Sequence, residues 1–315
     1  MSKNVHLTMN GGTQKYLAVE VHSPEYKIHS TTFTLSHTCL KQVILMNDYM
    51  NANKELWDKL AKIHYDSEFY DVKGFLEGKQ TLDPIELDEL PNLSGNSVLH
   101  LMCHFGMDTL SLARLGGRVT GVDFSQESIA LAESLAKAAK IDARFICSDI
   151  YKLGSVLDEK FDVVFTSGGI LMWLPDLERW AQIINKFLKP GGLFYIREFH
   201  PFAYIFNDED DETDFVVKYP YFQGKEPIMF EEEGSYADEA AETGKMKTYE
   251  WNHPISRIIT VLANQGLRLE FFHEFPVCSY KALPFMIQNA AGRWVFPKHG
   301  DSVPVMFSIK ATKPL

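Results

Sequence analysis

The stretch "SVLHLMCHFGMDTLSLARLGGRVTGVDFS", Ser97 to Ser125, decides the fold. "SVLHLM" reads as a buried strand, and "MDTLSLARL" as a helix ended by Gly116 and Gly117, which permit the left-handed turn that a helix exit favours. "RVTGVD" is then a second strand. Ser125 is a helix N-cap, with Ile129, Ala132, Leu135 and Ala139 on one face of the helix that follows. Downstream, "ARFICSD" and "FDVVFTSG" are predicted as strands three and four, a helix runs from about Asp176 to Leu188, and "GGLFYIRE" is strand five.

Regular alternation of strand and helix implies a mostly parallel sheet with helices on both faces, because parallel neighbours need crossover connections. Two late segments, "SRIITVLANQGLRLEFFHEF" and "PVMFSIKAT", add a helix and two more strands. With no long helix between them, these two strands predict an antiparallel hairpin at the C-terminal end of a seven-stranded, Rossmann-like doubly wound α/β sheet. Ligands on such sheets bind beyond the carboxyl ends of the strands. The residues there are those around Cys103, Asp123, Asp149, Ser167 and Glu198.

The chain divides by composition. Residues 1–45 are rich in Thr, Ser and His and read as a flexible extension, with Met46 or Met50 as the expected natural start. Residues 46–93 form a helical cap segment, in which Leu56, Leu60 and Ile63 keep helical spacing; the core follows at 94–199. Residues 200–250 carry the acidic run "NDEDDETD" and several aromatics and read as an inserted lid, and 251–315 complete the core. Against 31 Lys and Arg stand 42 Asp and Glu, a formal charge of −11 with no basic stripe, which disfavours a nucleic-acid partner. No run approaches the roughly 18 apolar residues of a membrane span. The four cysteines, Cys39, Cys103, Cys147 and Cys278, form no CxxC pair and follow no secretion signal, as expected of a cytoplasmic protein.

Which ligand the first loop takes depends on "MCHFG". A dinucleotide fingerprint would need GxGxxG, and only Gly106 is present; Met102 and His104 would obstruct a pyrophosphate. Zinc is the other candidate for His100, Cys103 and His104. Three ligands could converge only through a distorted loop, and no fourth follows at a structural-zinc spacing, so no metal is expected.

Through Val98, Leu99, Leu101 and Gly106, "VLHLMCHFG" resembles the first motif of the class I S-adenosylmethionine-dependent methyltransferases. It is especially similar to an uncharacterised bacterial subgroup with the motif LHLxCHFGxDTLSLARLG, and the resemblance runs from about Tyr49 to Thr312. It implies S-adenosylmethionine as cofactor, S-adenosylhomocysteine as product, and a cofactor site of His100, Cys103, His104, Gly106, Asp123, Phe124, Asp149, Ile150 and Ser167. In the family, the acid ending strand two accepts from both ribose hydroxyls, the place of Asp123; Phe124 and Ile150 flank the adenine and Asp149 accepts from its amine. His100 stands where the family usually carries an acid near the methionine end, and Met102 and His104 replace two glycines. "LKPGGLF" matches the family's turn before strand five.

Methyl transfer from a sulfonium is an in-line displacement, so the protein must align two groups and exclude water; a base matters only when the nucleophile loses a proton. His200 in "REFHPF" is the first candidate base and Glu198 the second, with packing as the alternative role of His200. Tyr70, Tyr204, Trp251 and His253 are candidate substrate contacts. Tyr65 and Phe69 either help cover the site or simply pack. The acidic insertion suggests a cationic acceptor held by aromatic faces, although most acidic runs are solvated surface. The expected function is methyl transfer to a small-molecule acceptor by a monomer or homodimer. The altered loop motivates an alternative, a non-catalytic cofactor-binding or regulatory protein on the same fold. A nucleic-acid or protein acceptor is a third reading; "TSGGILMW" after strand four lacks the Asn-Pro-Pro-aromatic signature of amide or adenine modification.

Overall fold

The computed structural model describes residues 45–209, 211–238, 240–298, 300 and 302–315, together with the backbone of a few segments before them. The chain forms two units, Met1–Asn51 and Ala52–Leu315. Strands β1 (Val5–Thr8), β2 (Tyr16–Val19) and β3 (Phe33–Thr34) make an antiparallel sheet in the first unit. The expected flexible extension otherwise falls on residues outside those described. Helix α1 spans His37–Asp66.

In the second unit come α2 (Val72–Leu76), α3 (Pro84–Glu89), β4 (Ser97–Leu101), α4 (Met107–Arg114), β5 (Arg118–Asp123), α5 (Gln126–Ala139) and β6 (Arg144–Cys147). They are followed by β7 (Phe161–Thr166), α6 (Leu177–Phe187), β8 (Leu188–Phe199), β9 (Ile228–Glu232), β10 (Met246–Glu250) and α7 (Ile255–Asn264). The last elements are β11 (Arg268–Phe275), β12 (Ile287–Gln288), β13 (Trp294–Val295) and β14 (Met306–Thr312).

The main sheet has seven strands in the order β11-β14-β8-β7-β4-β5-β6. β6, β5, β4, β7 and β8 are parallel; β14 runs antiparallel to both β8 and β11. The C-terminal pair is not a tight hairpin. Residues 276–305 separate its strands and carry the small β12–β13 ribbon. Strand order reverses at β4, and this opens a crevice at its carboxyl end between the loops after β4 and β7.

Local chemistry explains the helices that frame this crevice. Ser125 caps α5 by accepting from Ser128 N, and Ile129, Ala132, Leu135 and Ala136 are its buried face. Asp176 caps α6, which buries Trp180, Ala181, Ile184 and Phe187 on the sheet. Strand alternation divides the core between the two sheet faces. Leu99, Leu101, Val122, Val164, Phe194 and Ile196 pack on one; Val98, Val119, Val163, Phe165 and Tyr195 pack on the other. Each such side chain contributes roughly 1.5–3 kcal/mol by burial. Among the described residues, no helix is long and apolar enough to cross a membrane.

Candidate cofactor and acceptor site

The loop after β4 keeps a glycine-type backbone without the glycines. Met102 has φ 58°, His104 φ 51° and Gly106 φ 81°. A left-handed conformation costs a residue with a Cβ roughly 1–2 kcal/mol, so the surrounding structure must hold Met102 and His104 in place. Met102 packs with Leu56, Leu60 and Trp173. His104 is held by its backbone, whose N–H donates to Asp123 Oδ2 at 2.8 Å, and by its ring.

The three side chains that suggested a metal part company. His100 is fully buried, with Nδ1 2.8 Å from Thr109 Oγ1 and Nε2 3.2 Å from Ser167 Oγ; burial lowers its pKa to about 3, so it is a neutral hydrogen-bonding group. Cys103 turns its thiol toward Gly121 and Phe145, and burial pushes the thiol pKa upward. It packs the loop onto β5, as small buried thiols commonly do. His104 directs Nδ1 to Ser128 Oγ at 3.2 Å and Nε2 to His64 Nδ1 at 3.0 Å. Among the described residues, no cluster of three or more His, Cys, Asp or Glu could hold a metal ion.

Asp123 ends β5 and is buried. Its Oδ1 accepts from Ser125 N at 2.9 Å and its Oδ2 from His104 N. Burial raises its pKa to about 6; the two N–H groups oppose the shift and the charge of Asp58 adds to it. Each oxygen retains a lone pair for a further donor. Phe124 is half-buried beside it, and buried Ile150 starts the turn after β6. Asp149 caps that turn by accepting from Tyr151 N, with its second oxygen 3.4 Å from Lys152 Nζ.

Helix α1 and the segment after β8 meet over this crevice. The buried Asn53 pairs with the backbone of Tyr249 in both directions, Nδ2 donating to its O at 2.8 Å and Oδ1 accepting from its N at 2.9 Å. Lys59 Nζ donates to Thr243 O. His64 Nε2 lies 3.0 Å from Ser235 Oγ, and the Tyr70 and Tyr236 hydroxyls are 2.5 Å apart. Tyr70 therefore belongs to this clasp, stacked on His64, and not to the cavity between β7 and β8. Tyr65 and Phe69 pack nearby, Tyr65 against Phe105 and Phe69 against Tyr70 and Tyr236.

That cavity lies at the carboxyl ends of β7 and β8. Leu171, Met172, Phe199, Tyr204, Trp251 and Ile258 form its apolar and aromatic wall, and Glu198, Asn252 and His253 add polar groups. Trp251 is anchored through Nε1 to Lys225 O at 3.1 Å. The two expected bases are otherwise engaged. Glu198 accepts from four backbone N–H groups, Gly169 and Phe199 on Oε1 and Ile170 and Leu171 on Oε2, so it holds the loop after β7 in shape. His200 accepts from Phe202 N on Nδ1, and its Nε2 lies 3.0 Å from Glu274 Oε1 on β11. This places its ring on the antiparallel edge of the sheet, in a packing role.

A family model described as a methyltransferase domain matches residues 98–192, the segment that builds β4 to β8 and the crevice. The chain is 27% identical over 161 residues to a ubiquinone biosynthesis O-methyltransferase of Coxiella burnetii, covering 49% of this chain and 67% of that one. Residues 98–192 carry a methyltransferase domain, on a fold of the class I S-adenosylmethionine-dependent type. The methyltransferase is also 31% identical over 124 residues to a protein of the same description from Pseudomonas syringae pv. tomato, covering 38% and 52% of the two chains. Its fold matches a solved S-adenosylmethionine-dependent methyltransferase from Mesorhizobium loti, with TM-score 0.51 and 21% identity over 75% of this chain and 99% of that one. The PH0226 protein from Pyrococcus horikoshii matches with TM-score 0.51 and 17% identity over 79% and 95%.

The methyltransferase's residues fit its cofactor. Met102, His104 and Gly106 all take the left-handed conformation that glycine adopts most readily. Gly106 itself admits no side chain, because a Cβ would lie 2.8 Å from the Phe145 ring at φ 81°. Gly106→Ala is expected to cost about 2–4 kcal/mol, measured by urea unfolding; a cost below about 0.5 kcal/mol would show that the loop relaxes freely.

Asn53, His64, Ser235 and Trp57, whose ring meets His104 edge-on with centroids 5.3 Å apart, escaped the sequence reading. Asn53, Trp57, Leu60 and His64 follow helical spacing in α1, and polar or aromatic members within an apolar stripe were the available signal. Ser235 gave none. The acidic run, too, has local partners: Asp208 with Tyr219, Glu209 with Lys218, Glu212 with Asn207 and Asp214 with Lys298. These are contacts made by the surface segment.

Proposed function

We propose that this methyltransferase methylates a hydroxyl group on a small, largely apolar acceptor in the cavity at the β7 and β8 ends. The carrying observation is the lining: the 200–250 segment is clasped to α1, and the small recess at the β7 and β8 ends is walled by aromatic and aliphatic side chains. The ubiquinone biosynthesis O-methyltransferases among its relatives support an oxygen nucleophile.

When bound, S-adenosylmethionine supplies a methyl group activated by its sulfonium. Asp123 would accept from the ribose hydroxyls, Phe124 and Ile150 would flank the adenine, and Asp149 would accept from its amine. His100 and Ser167 sit at the methionine end, where a neutral imidazole fixed by two hydroxyls replaces the family's acid. Within the second unit, residues 52–93 and 200–250 serve together as a cap and lid that exclude water. Free thiols at Cys103, Cys147 and Cys278 support a reducing compartment such as the cytoplasm.

With labelled S-adenosylmethionine, a panel of small phenols and catechols is expected to accept the methyl group while RNA and bulk protein do not. Label confined to a macromolecule would discard this reading.

A further inference from the structure

We propose that His253 is the proton acceptor of the reaction, taking the hydroxyl proton of the acceptor on Nδ1. This rests on the hydroxyl acceptor proposed above. His253 lines the cavity beside Tyr204, Trp251 and Asn252 and is itself buried. Its Nε2 lies 2.7 Å from Leu174 O. A carbonyl oxygen can only accept, so Nε2 carries the proton and the other nitrogen keeps its lone pair. Among the described residues, the ring's hydrogen bond is the one through Nε2, and Nδ1 makes none. The ring is thus oriented by a fixed backbone group with its basic nitrogen free, which is the arrangement a general base requires.

A second atom of the same cavity wall also lacks a donor. Asn252 Nδ2 donates to Pro201 O and Pro220 O, and its buried Oδ1 accepts from nothing among the described residues. Neighbouring bare acceptors at 252 and 253 suit an incoming molecule that brings O–H donors. Burial keeps His253 neutral, lowering its pKa to about 4; Leu174 O and Glu178 of α6 favour the charged ring, and Arg257 of α7 opposes it. Glu198 of β8 shares the cavity, but its oxygens are committed to four N–H groups.

The step balances. The acceptor oxygen forms a bond to the methyl carbon as the carbon–sulfur bond breaks. Sulfur keeps that electron pair and becomes neutral, and the hydroxyl proton moves to Nδ1, from which it later leaves to solvent. His200 and Glu198 take no part, since neither offers a free basic atom to the cavity.

His253→Gln tests this directly, because a glutamine Nε2 can still donate to Leu174 O while no basic nitrogen remains. In nitrogen-15 spectra of the full chain between pH 6 and 8, the His253 signals, assigned by their loss in the variant, are expected to show Nε2 protonated and Nδ1 bare. A protonated Nδ1 overturns the proposal. With 4-methylcatechol as probe, the variant is expected to lose about 10²- to 10⁴-fold in kcat/KM at pH 7 while binding S-adenosylhomocysteine as the native protein does. Its rate should then climb about tenfold per pH unit as the catechol ionises, where the native rate is nearly flat. Equal rates and equal pH slopes would refute the base. A native protein inactive on every hydroxyl probe would instead refute the hydroxyl acceptor on which it rests.

Discussion

Asp123→Ala is expected to weaken S-adenosylhomocysteine binding by at least about 100-fold, or roughly 2.7 kcal/mol, in calorimetric titration. Two hydrogen bonds to a charged acceptor are lost at once. The variant also strands His104 N and Ser125 N, which both donate to this carboxylate, so the left-handed loop at 104 loses its tether. Asp123→Asn separates the two effects. It keeps one acceptor oxygen and the shape of the side chain, so it should fall between native and alanine in affinity while melting closer to the native protein. Unchanged affinity in the alanine variant would remove Asp123 from the cofactor site.

The same carboxyl gives a pH signature. Burial raises its pKa to about 6, so the free protein holds a mixture of protonated and ionised forms in mildly acidic solution. An ionised carboxylate is the better acceptor for two hydroxyls, so cofactor binding draws the group to the charged form and releases a proton below that pH. Affinity should therefore be level above about pH 7 and fall by up to about tenfold per unit below pH 6. A flat profile down to pH 5, with the protein folded, would mean that Asp123 does not contact the ligand.

Much of this was legible from strand periodicity and turn chemistry. The positions of Asp123, Ile150 and Ser167 follow from counting strands, because a parallel sheet puts all its ligand groups at one end. The left-handed angles at Met102 and His104 were not legible. Side-chain identity argues against them, and they persist because Asp123 and the packing around Met102 determine the loop from outside. Sequence neighbours His200 and Glu198 looked alike as candidate bases, yet they differ in what tertiary structure brings to each. A strand places alternate residues on opposite faces: buried Arg197 meets Glu86 of α3 on one, while Glu198 turns to the other and meets a ring of N–H groups. No local pattern predicts which loop will fold back over a strand end.

Glu198 carries the second large effect, and its two substitutions should rank in an unexpected order. Its carboxylate is a clamp for the loop from Gly169 to Leu171, with donor distances of 2.6–3.0 Å. Burial pushes the carboxyl upward in pKa and the N–H groups pull it down, with burial the stronger influence. Alanine would leave four backbone donors without their partner beside a cavity that can admit water, a loss of about 3–5 kcal/mol. Glutamine, although closer in shape, points an NH₂ group at two of those donors, where water cannot intervene. It is expected to destabilise the fold by at least as much as alanine. A general base would behave in the opposite way, with glutamine preserving stability and abolishing turnover. Thermal unfolding of both variants, compared with their kcat/KM, separates the roles: a glutamine variant as stable as the native protein would remove the clamp. The same loop runs from Ser167, which meets His100, to Leu171 and Met172 on the cavity wall, so under the proposed function loosening it should raise KM for the acceptor and weaken cofactor binding together.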